Sequence, residues 1–427
     1  MLKLGVAVVG CGNVAPFYCN EFPKHPILHL VGVMDRDGQR SSAFAAYYSV
    51  RKYGSLGDVL DDDAVQLVLN LTNPSSHFPA SRQALETGKH VYSEKPLAMS
   101  FVEAQQLVAL SKTNERSIAS APCRVLAEPA QTMWKALRER TIGDVRAVYA
   151  EMDCKMLSRL HYKEWINGLG IPWPYKDEFA VGCTIEHAGY AVSWLTAFFG
   201  PIEAVTAVAM CQIQDLKTEI GLDVLPPDLT VACLKFKSGI VARLTSSWIA
   251  PQDNSIRIFG DAGTLSTPNI TSPRSRVYVT RYKEIKIGPK RIGRMQTQSY
   301  PRVKSSTKSS PIKACRMVVQ SPRRTAQAIR ARVFHLRKRV DFCIGPAEVA
   351  SAISERRPCR LSPEYCLHNT EVVLAIHNAL ETGSNYNVQT SFAAMEPMPW
   401  ACYSRARMGI LRKLTQPMAS APIRSPS

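Results

Sequence analysis

The chain has 427 residues, 53 Lys plus Arg against 35 Asp plus Glu, a formal charge of +18 and 45% hydrophobic residues. Its 23 Gly and 28 Pro exclude a collagenous or low-complexity chain, and its longest apolar run, Ala188–Phe199, falls short of the ~18–20 residues that span a bilayer. At roughly 100–200 residues per domain, the length predicts two or three domains.

Residues 4–9 (LGVAVV) form a β-branched run that enters the turn GCGNVA, Gly10 to Ala15, and helix-compatible residues follow to about Glu21. No charged, apolar and small-residue order of a secretion signal precedes this strand, so a cytoplasmic protein is expected. A second strand, Leu28–Met34, ends at Asp35. Strand, glycine turn, helix and a strand tipped by an acid are the order of a dinucleotide-binding unit. Gly10 permits the tight turn, Gly12 lets the backbone approach a pyrophosphate, and Ala15 lets the helix pack close. Asn13 and Val14 complete the turn, where free N–H groups meet phosphate. Asp35 stands where a carboxylate would accept from the ribose hydroxyls, which favours NAD; Arg36 beside it could hold a 2′-phosphate, so NADP stays open.

Ser55-Leu56-Gly57-Asp58 predicts a capped helix start, Val65–Leu71 a parallel strand buried on both faces, and His77–Thr87 a helix stopped by Gly88. His90–Ser93 reads as a strand, and Ser100–Glu103 as a capping box for a helix to about Lys112. Residues 1–125 are therefore expected to be an α/β, doubly wound parallel (Rossmann) domain. Ligands of such sheets sit at the carboxyl ends of the strands, where Thr72-Asn73-Pro74 and Glu94-Lys95-Pro96 fall.

From about Asp144 the strands lengthen: Val145–Asp153, Ile202–Met210, Thr230–Phe236, Ile240–Trp248 and Ser255–Phe259. Residues 126–400 thus predict an α+β domain on a mostly antiparallel open sheet, with 401–427 as a basic tail. Within it, Trp165–Phe179 (WINGLGIPWPYKDEF) has the aromatic, proline and charged content of a substrate-lining loop. Trp173 could stack on a ring face of a ligand, while Lys176, Asp177 and Glu178 could hydrogen-bond its polar groups. The charge excess is confined to residues 266–340, which hold 20 basic side chains and 1 acidic one. A solvated, partly disordered insertion is expected there, with binding to nucleic acid or an anionic surface as the less favoured reading. Twelve cysteines without a C-x-x-C pair predict buried free thiols, neither a disulfide scaffold nor a metal site.

The combination GCGNVA (10–15), Asp35, TNPSSH (72–77), ALETGKHVYSEKPLA (84–98), IGDVRAV (142–148), VGCTIEHAGYAVSWLTAFFGP (181–201, a helix) and ALETGSNYNV (379–388) resembles the Gfo/Idh/MocA oxidoreductases. The resemblance implies an NAD(P)-dependent enzyme acting on CH–OH groups of sugars, inositols or related polyols. It also implies a homodimer or homotetramer assembled through the open sheet. Lys95 matches the family lysine that meets both the nicotinamide end and the substrate hydroxyl, in a Lys-Pro peptide that is often cis; Glu94 beside it could orient it. Such a lysine has work to do, because losing hydride makes a carbinol hydroxyl acidic and the proton must be handled. His77 resembles a position near the nicotinamide. The family's Asp-x-x-x-His maps onto Glu186 and Tyr190, and His187 competes with Tyr190 as the nearer partner of the reacting hydroxyl. Arg124 and Trp134 receive no role. The rival reading is a non-catalytic dinucleotide sensor or scaffold that binds an anionic partner through 266–340.

Overall fold

The computed structural model describes residues 3–217, 221–222, 225–287, 290–304, 340–382 and 385–402. The first domain alternates β1 (Leu4–Val9), α1 (Ala15–Cys19), β2 (Leu28–Met34), α2 (Gly38–Tyr48), β3 (Arg51–Lys52), α3 (Leu56–Asp61), β4 (Leu67–Asn70), α4 (Pro74–Glu86), β5 (His90–Ser93), α5 (Phe101–Thr113) and β6 (Ile118–Ser120). Its six strands are parallel in the order β3-β2-β1-β4-β5-β6. β4 lies at the centre with every residue buried, which is why its sequence runs apolar without alternation. The chain reverses direction across the sheet between β1 and β4, and the strand ends there open onto a cleft. Two short strands, β3 and β6, add to those read from the sequence; two and three residues are too few to carry a period. Ser55 and Asp58 do form a capping box, while Ser100 accepts from the Glu103 amide at the start of α5.

The second domain begins with α6 (Glu128–Arg138) and β7 (Val145–Asp153), then α7 (Tyr175–Cys183), a π-helical turn (Thr184–Ala188) and α8 (Gly189–Phe199). There follow β8 (Ile202–Met210), β9 (Leu229–Phe236), β10 (Val241–Ser247), β11 (Ile256–Gly260), β12 (Gly263–Thr267), β13 (Tyr278–Ile287) and β14 (Lys290–Ser299). Helices α9 (Ile344–Glu355) and α10 (Pro363–His377) and strand β15 (Asn385–Asn387) complete it. The nine strands run β14-β13-β12-β11-β7-β10-β9-β8-β15 and pair antiparallel except β7 with β10. Alternate residues of β8 and β9 are buried, with α10 packed on both strands, and the others, including Val208, Met210 and Val231, stay exposed on an open face.

Three expectations are corrected. Residues 266–304 are not a loose insertion: β12, β13 and β14 carry the sheet outward, and Val277/Val279 and Ile285/Ile287 recur at the two-residue spacing of a strand, which the charge count conceals. Residues 305–339 and the tail 403–427 lie outside the described residues. The single helix expected over 181–201 is broken at Gly182, which takes φ +79°; a Cβ there would stand 2.8 Å from the Pro226 Cβ. Residues 175–179 belong to α7, so Lys176, Asp177 and Glu178 sit on the first turn of a helix rather than in a loop.

Candidate active site

A cleft of about 610 Å³ lies between the carboxyl ends of the parallel strands and the α7–π turn–α8 segment of the second domain. Gly10, Gly12, Asn13, Val14, Asp35, Arg36, Thr72, Asn73, Pro74 and His77 line one part of it. Glu94, Lys95, Trp173, Asp177, Glu178, Glu186 and Tyr190 line the other. Residues far apart in sequence therefore meet because the strand ends and the kinked helix face each other. Lys176 and His187 are not among the lining residues.

The glycine turn has a built reason for each glycine. Gly10 takes φ +96°, and a Cβ there would lie 2.6 Å from the Leu71 carbonyl oxygen. At Gly12 a Cβ would meet nothing within 4 Å, so this backbone faces open cleft. Asp35 Oδ2 accepts from the Cys11 amide at 2.7 Å and Oδ1 from the Asp37 amide at 2.8 Å, which fixes the carboxylate at the tip of β2. Each oxygen keeps a second lone pair for a ribose hydroxyl. Arg40 Nη1 lies 3.5 Å from Asp35 Oδ2, and Arg36 and Arg40 both line the cleft. This turn, open space and anchored acid fit a dinucleotide: Gly10, Gly12, Asn13 and Val14 would face its pyrophosphate and Asp35 its ribose. Asn13 is also the point where the second domain reaches over: its Nδ2 donates to the Ile171 oxygen at 3.1 Å, and Asn167 Nδ2 donates to the Asn13 oxygen at 3.0 Å.

Lys95 follows β5, and its peptide bond to Pro96 is cis. Its Nζ stands 2.5 Å from Glu186 Oε2, a largely buried ion pair between the two domains. Burial by itself would lower the ammonium, but Glu186, with Glu178, Tyr190 and Glu94, outweighs it and holds Lys95 well above the ordinary lysine range. Burial would raise Glu186, yet Lys95 and a hydrogen bond from Glu178 keep it below the usual carboxylate range. Glu178 is pushed the other way, by burial first and then by the Glu186 charge, and so retains a proton. Burial also raises the Tyr190 phenol, which stays protonated as a donor. Glu94 orients the lysine's backbone: Oε1 accepts from Tyr18 Oη at 2.7 Å and Oε2 from the Lys95 amide at 3.0 Å.

His187 turns away to a second aromatic cluster, where its Nδ1 accepts from Trp248 Nε1 at 3.1 Å. That bond places the remaining proton on Nε2. Burial lowers His187 to about 4, so it is neutral near pH 7. Trp173 bridges the cleft and this cluster, packing edge-on to Phe179 at 5.7 Å. His77 is fully enclosed and ties the Thr72 turn to the Lys95 turn, with Nδ1 2.7 Å from the Pro96 oxygen and Nε2 3.1 Å from the Thr72 oxygen. Trp134 lies in the core against Phe198. Two residues without a role in the sequence reading join the site. The Arg124 guanidinium lies 5.1 Å from the Tyr190 ring centroid and bonds the Thr271 carbonyl. Arg40 lies one turn into the helix after Asp35. The place of Arg40 just after Asp35 could have marked it, whereas Arg124 follows β6, a strand too short for the sequence to announce.

Residues 4–121 match the oxidoreductase family with an NAD-binding Rossmann fold, and residues 130–266 match the GFO/IDH/MocA C-terminal domain. The chain belongs to the Gfo/Idh/MocA family. Its cofactor fold is thus that of an NAD(P)-binding oxidoreductase. Among curated relatives, Oxidoreductase P35 of Formosa agariphila is 25% identical over 273 residues, 63% of this chain and 81% of that protein. A trans-1,2-dihydrobenzene-1,2-diol dehydrogenase of Mus musculus is 24% identical over 286 residues, 66% and 80% of the two chains. Among solved structures, a putative NADPH-dependent oxidoreductase from Desulfitobacterium hafniense aligns with a TM-score of 0.69 at 18% identity, covering 91% of this chain and 98% of that one. The WlbA dehydrogenase from Bordetella pertussis, in complex with NADH and UDP-GlcNAcA, aligns at 0.65 and 16% identity over 91% and 99%. At these identities the structural likenesses establish the fold. Among the described residues no three His, Cys, Asp or Glu side chains are grouped to hold a metal, and no helix is long and apolar enough to cross a membrane.

Proposed function

We propose that this protein is an NAD(P)-dependent dehydrogenase or reductase that transfers hydride between the nicotinamide and a CH–OH or carbonyl carbon of a sugar, inositol or related cyclic polyol. The observation that carries the reading is the interdomain ion pair of Lys95 with Glu186, set beside Tyr190 in the same cleft as the glycine turn. The bound dinucleotide would accept or supply the hydride. Lys95, held as an ammonium, stabilises the developing alkoxide and is the proton carrier at the reacting oxygen. Tyr190, protonated and stacked under Arg124, donates a second hydrogen bond to that oxygen. Trp173 offers an apolar face to the ring of the substrate, and Asp177 an acceptor to its hydroxyls. The diol and nucleotide-sugar substrates in the names of the relatives fit the same chemistry.

Asp35 favours NAD, since a carboxylate at the ribose repels a 2′-phosphate; Arg36 and Arg40 temper that preference. The exposed apolar residues on the open sheet face favour a homodimer or homotetramer, which sedimentation would reveal and a monomer at micromolar concentration would exclude. All eleven described cysteines are unpaired, which accords with a reducing, cytoplasmic setting. The test is a nicotinamide-absorbance screen over inositols, aldoses, sugar acids, cyclic diols and nucleotide sugars. A substrate should turn over, and Lys95→Ala should lower kcat by about a hundredfold or more while dinucleotide affinity changes little. Equal turnover by the variant would refute the assignment.

A further inference from the structure

The cleft is uneven in charge. Its guanidinium groups, Arg36 and Arg40, follow Asp35 at the ribose end. At the other end Lys95 is the only lysine or arginine in the lining, and it stands against the acidic side chains Glu94, Asp177, Glu178 and Glu186. Lys95 is already paired with Glu186. Even with a proton on Glu178, the remaining acids leave this end negative. No neighbour restores the balance: Lys176 lies outside the lining, and Arg124 is turned to the Tyr190 ring and the Thr271 carbonyl. Glu94 has both oxygens engaged, by the Tyr18 hydroxyl and the Lys95 amide. Asp177 does not. It is exposed on the first turn of α7, and its carboxylate has no hydrogen-bond or ion-pair partner among the described residues. Trp173 lines the same cleft, with its ring held by Trp165 at 5.0 Å and Phe179 at 5.7 Å. We infer that the substrate of this site carries a protonated amine, as an amino sugar or aminocyclitol does, and that Asp177 and the Trp173 face receive its ammonium group.

Each substituent a ring could present fares differently here. An ammonium brings three donors and a charge opposite to that of the cleft. The indole face attracts it, and the free carboxylate accepts a charge-assisted hydrogen bond from it. A hydroxyl brings one neutral donor and leaves the negative charge uncompensated. A carboxylate or phosphate would enter a space of its own sign, with no guanidinium fork at that end to hold it, so sugar acids and nucleotide sugars are disfavoured. The Lys95 ammonium does not repel the amine strongly, because Glu186 in contact with it offsets its charge. The amine is a recognition group only. Hydride leaves or enters a different ring carbon, and no bond to nitrogen changes.

This inference rests on the polyol dehydrogenase reading above, so its test begins with an arm that needs no turnover. The full chain, saturated with NADH near neutral pH and at low salt, is titrated calorimetrically with matched rings. One set is D-glucosamine, D-glucose and D-glucuronate, a second D-galactosamine, D-galactose and D-galacturonate, and a third scyllo-inosamine and scyllo-inositol. In the sets that bind, the amine should bind at least about tenfold more tightly than its hydroxyl counterpart, and the carboxylate at least about tenfold more weakly. Asp177→Asn should remove the advantage of the amine. Trp173→Leu, which keeps an apolar contact without a π face, should reduce it and carries the measurement if the first variant folds poorly. Amines that bind no better than their alcohols in any set, carboxylates that bind best, or a preference unchanged in Asp177→Asn would overturn the inference. In the turnover screen the amino compounds should also show the highest kcat/KM. If the amines bind in the expected order and nothing turns over, the dehydrogenase reading fails while amine recognition stands. If neutral polyols turn over and amines bind no better, amine recognition fails while the dehydrogenase reading stands.

Discussion

The two glycines of the first turn should fail in different ways when each gains a methyl group. In Gly10→Ala the backbone must hold φ +96° with a Cβ, which costs about 1–3 kcal/mol. The methyl also meets the Leu71 carbonyl oxygen at 2.6 Å, its carbon at 2.7 Å and the Thr72 nitrogen at 2.8 Å. These are backbone atoms at the end of a central strand and cannot rotate aside, so overpacking adds about 1–3 kcal/mol. Together about 2–6 kcal/mol is lost, against a total stability of roughly 5–15 kcal/mol for a domain. Gly12→Ala meets no protein atom within 4 Å. Its stability should stay level or rise by about 0.4–1 kcal/mol through the stiffer unfolded chain, while the methyl stands where the pyrophosphate must approach. We expect NADH affinity to fall at least about tenfold, or 1.4 kcal/mol. Urea denaturation reads the first effect and NADH fluorescence titration the second. If Gly12→Ala lost more than about 1 kcal/mol of stability, or bound NADH as the wild type does, the placement of the dinucleotide on this turn would be refuted.

Other expectations follow from the same geometry. His90, His187, His368 and His377 are each lowered by burial to about 4, so the unfolded chain takes up their protons first as pH falls below about 6.5. Stability is then fully present above that pH and is lost toward pH 4, with a slope of up to about 1.4 kcal/mol per pH unit for each proton. A denaturation midpoint that stays flat between pH 6 and pH 4.5 would contradict their buried, neutral state. Removing the carboxylate in Asp35→Ala should shift the NADH-to-NADPH affinity ratio at least about tenfold toward NADPH, because Arg36 and Arg40 remain, and Arg40→Ala should shift it the opposite way. Fluorescence titration with both nucleotides decides this, and an unchanged ratio would remove Asp35 from the ribose. Gly182→Ala, strained at φ +79° and crowded against Pro226, should cost about 2–4 kcal/mol and reduce kcat more than NADH affinity, since it misplaces Glu186. A variant of wild-type stability would show that the kink is not held by this contact.

What the sequence determined by itself was whatever depends on neighbours along the chain. The glycine turn, Asp35, the apolar run of β4 and the Lys95-Pro96 element each obey a local period or spacing, and each lies where that pattern requires. The family membership rests on the same short-range motifs. Tertiary structure decided the rest, because the site is made across the interface of two domains. Nothing in the spacing of Lys95 and Glu186 announces an ion pair 91 residues apart. The π turn and the Gly182 bend choose which side chains face the cleft, so Tyr190 enters it while His187, three residues before, bonds Trp248 instead. A helical period assumes an unbroken helix, and that assumption fails in the segment that lines the cleft.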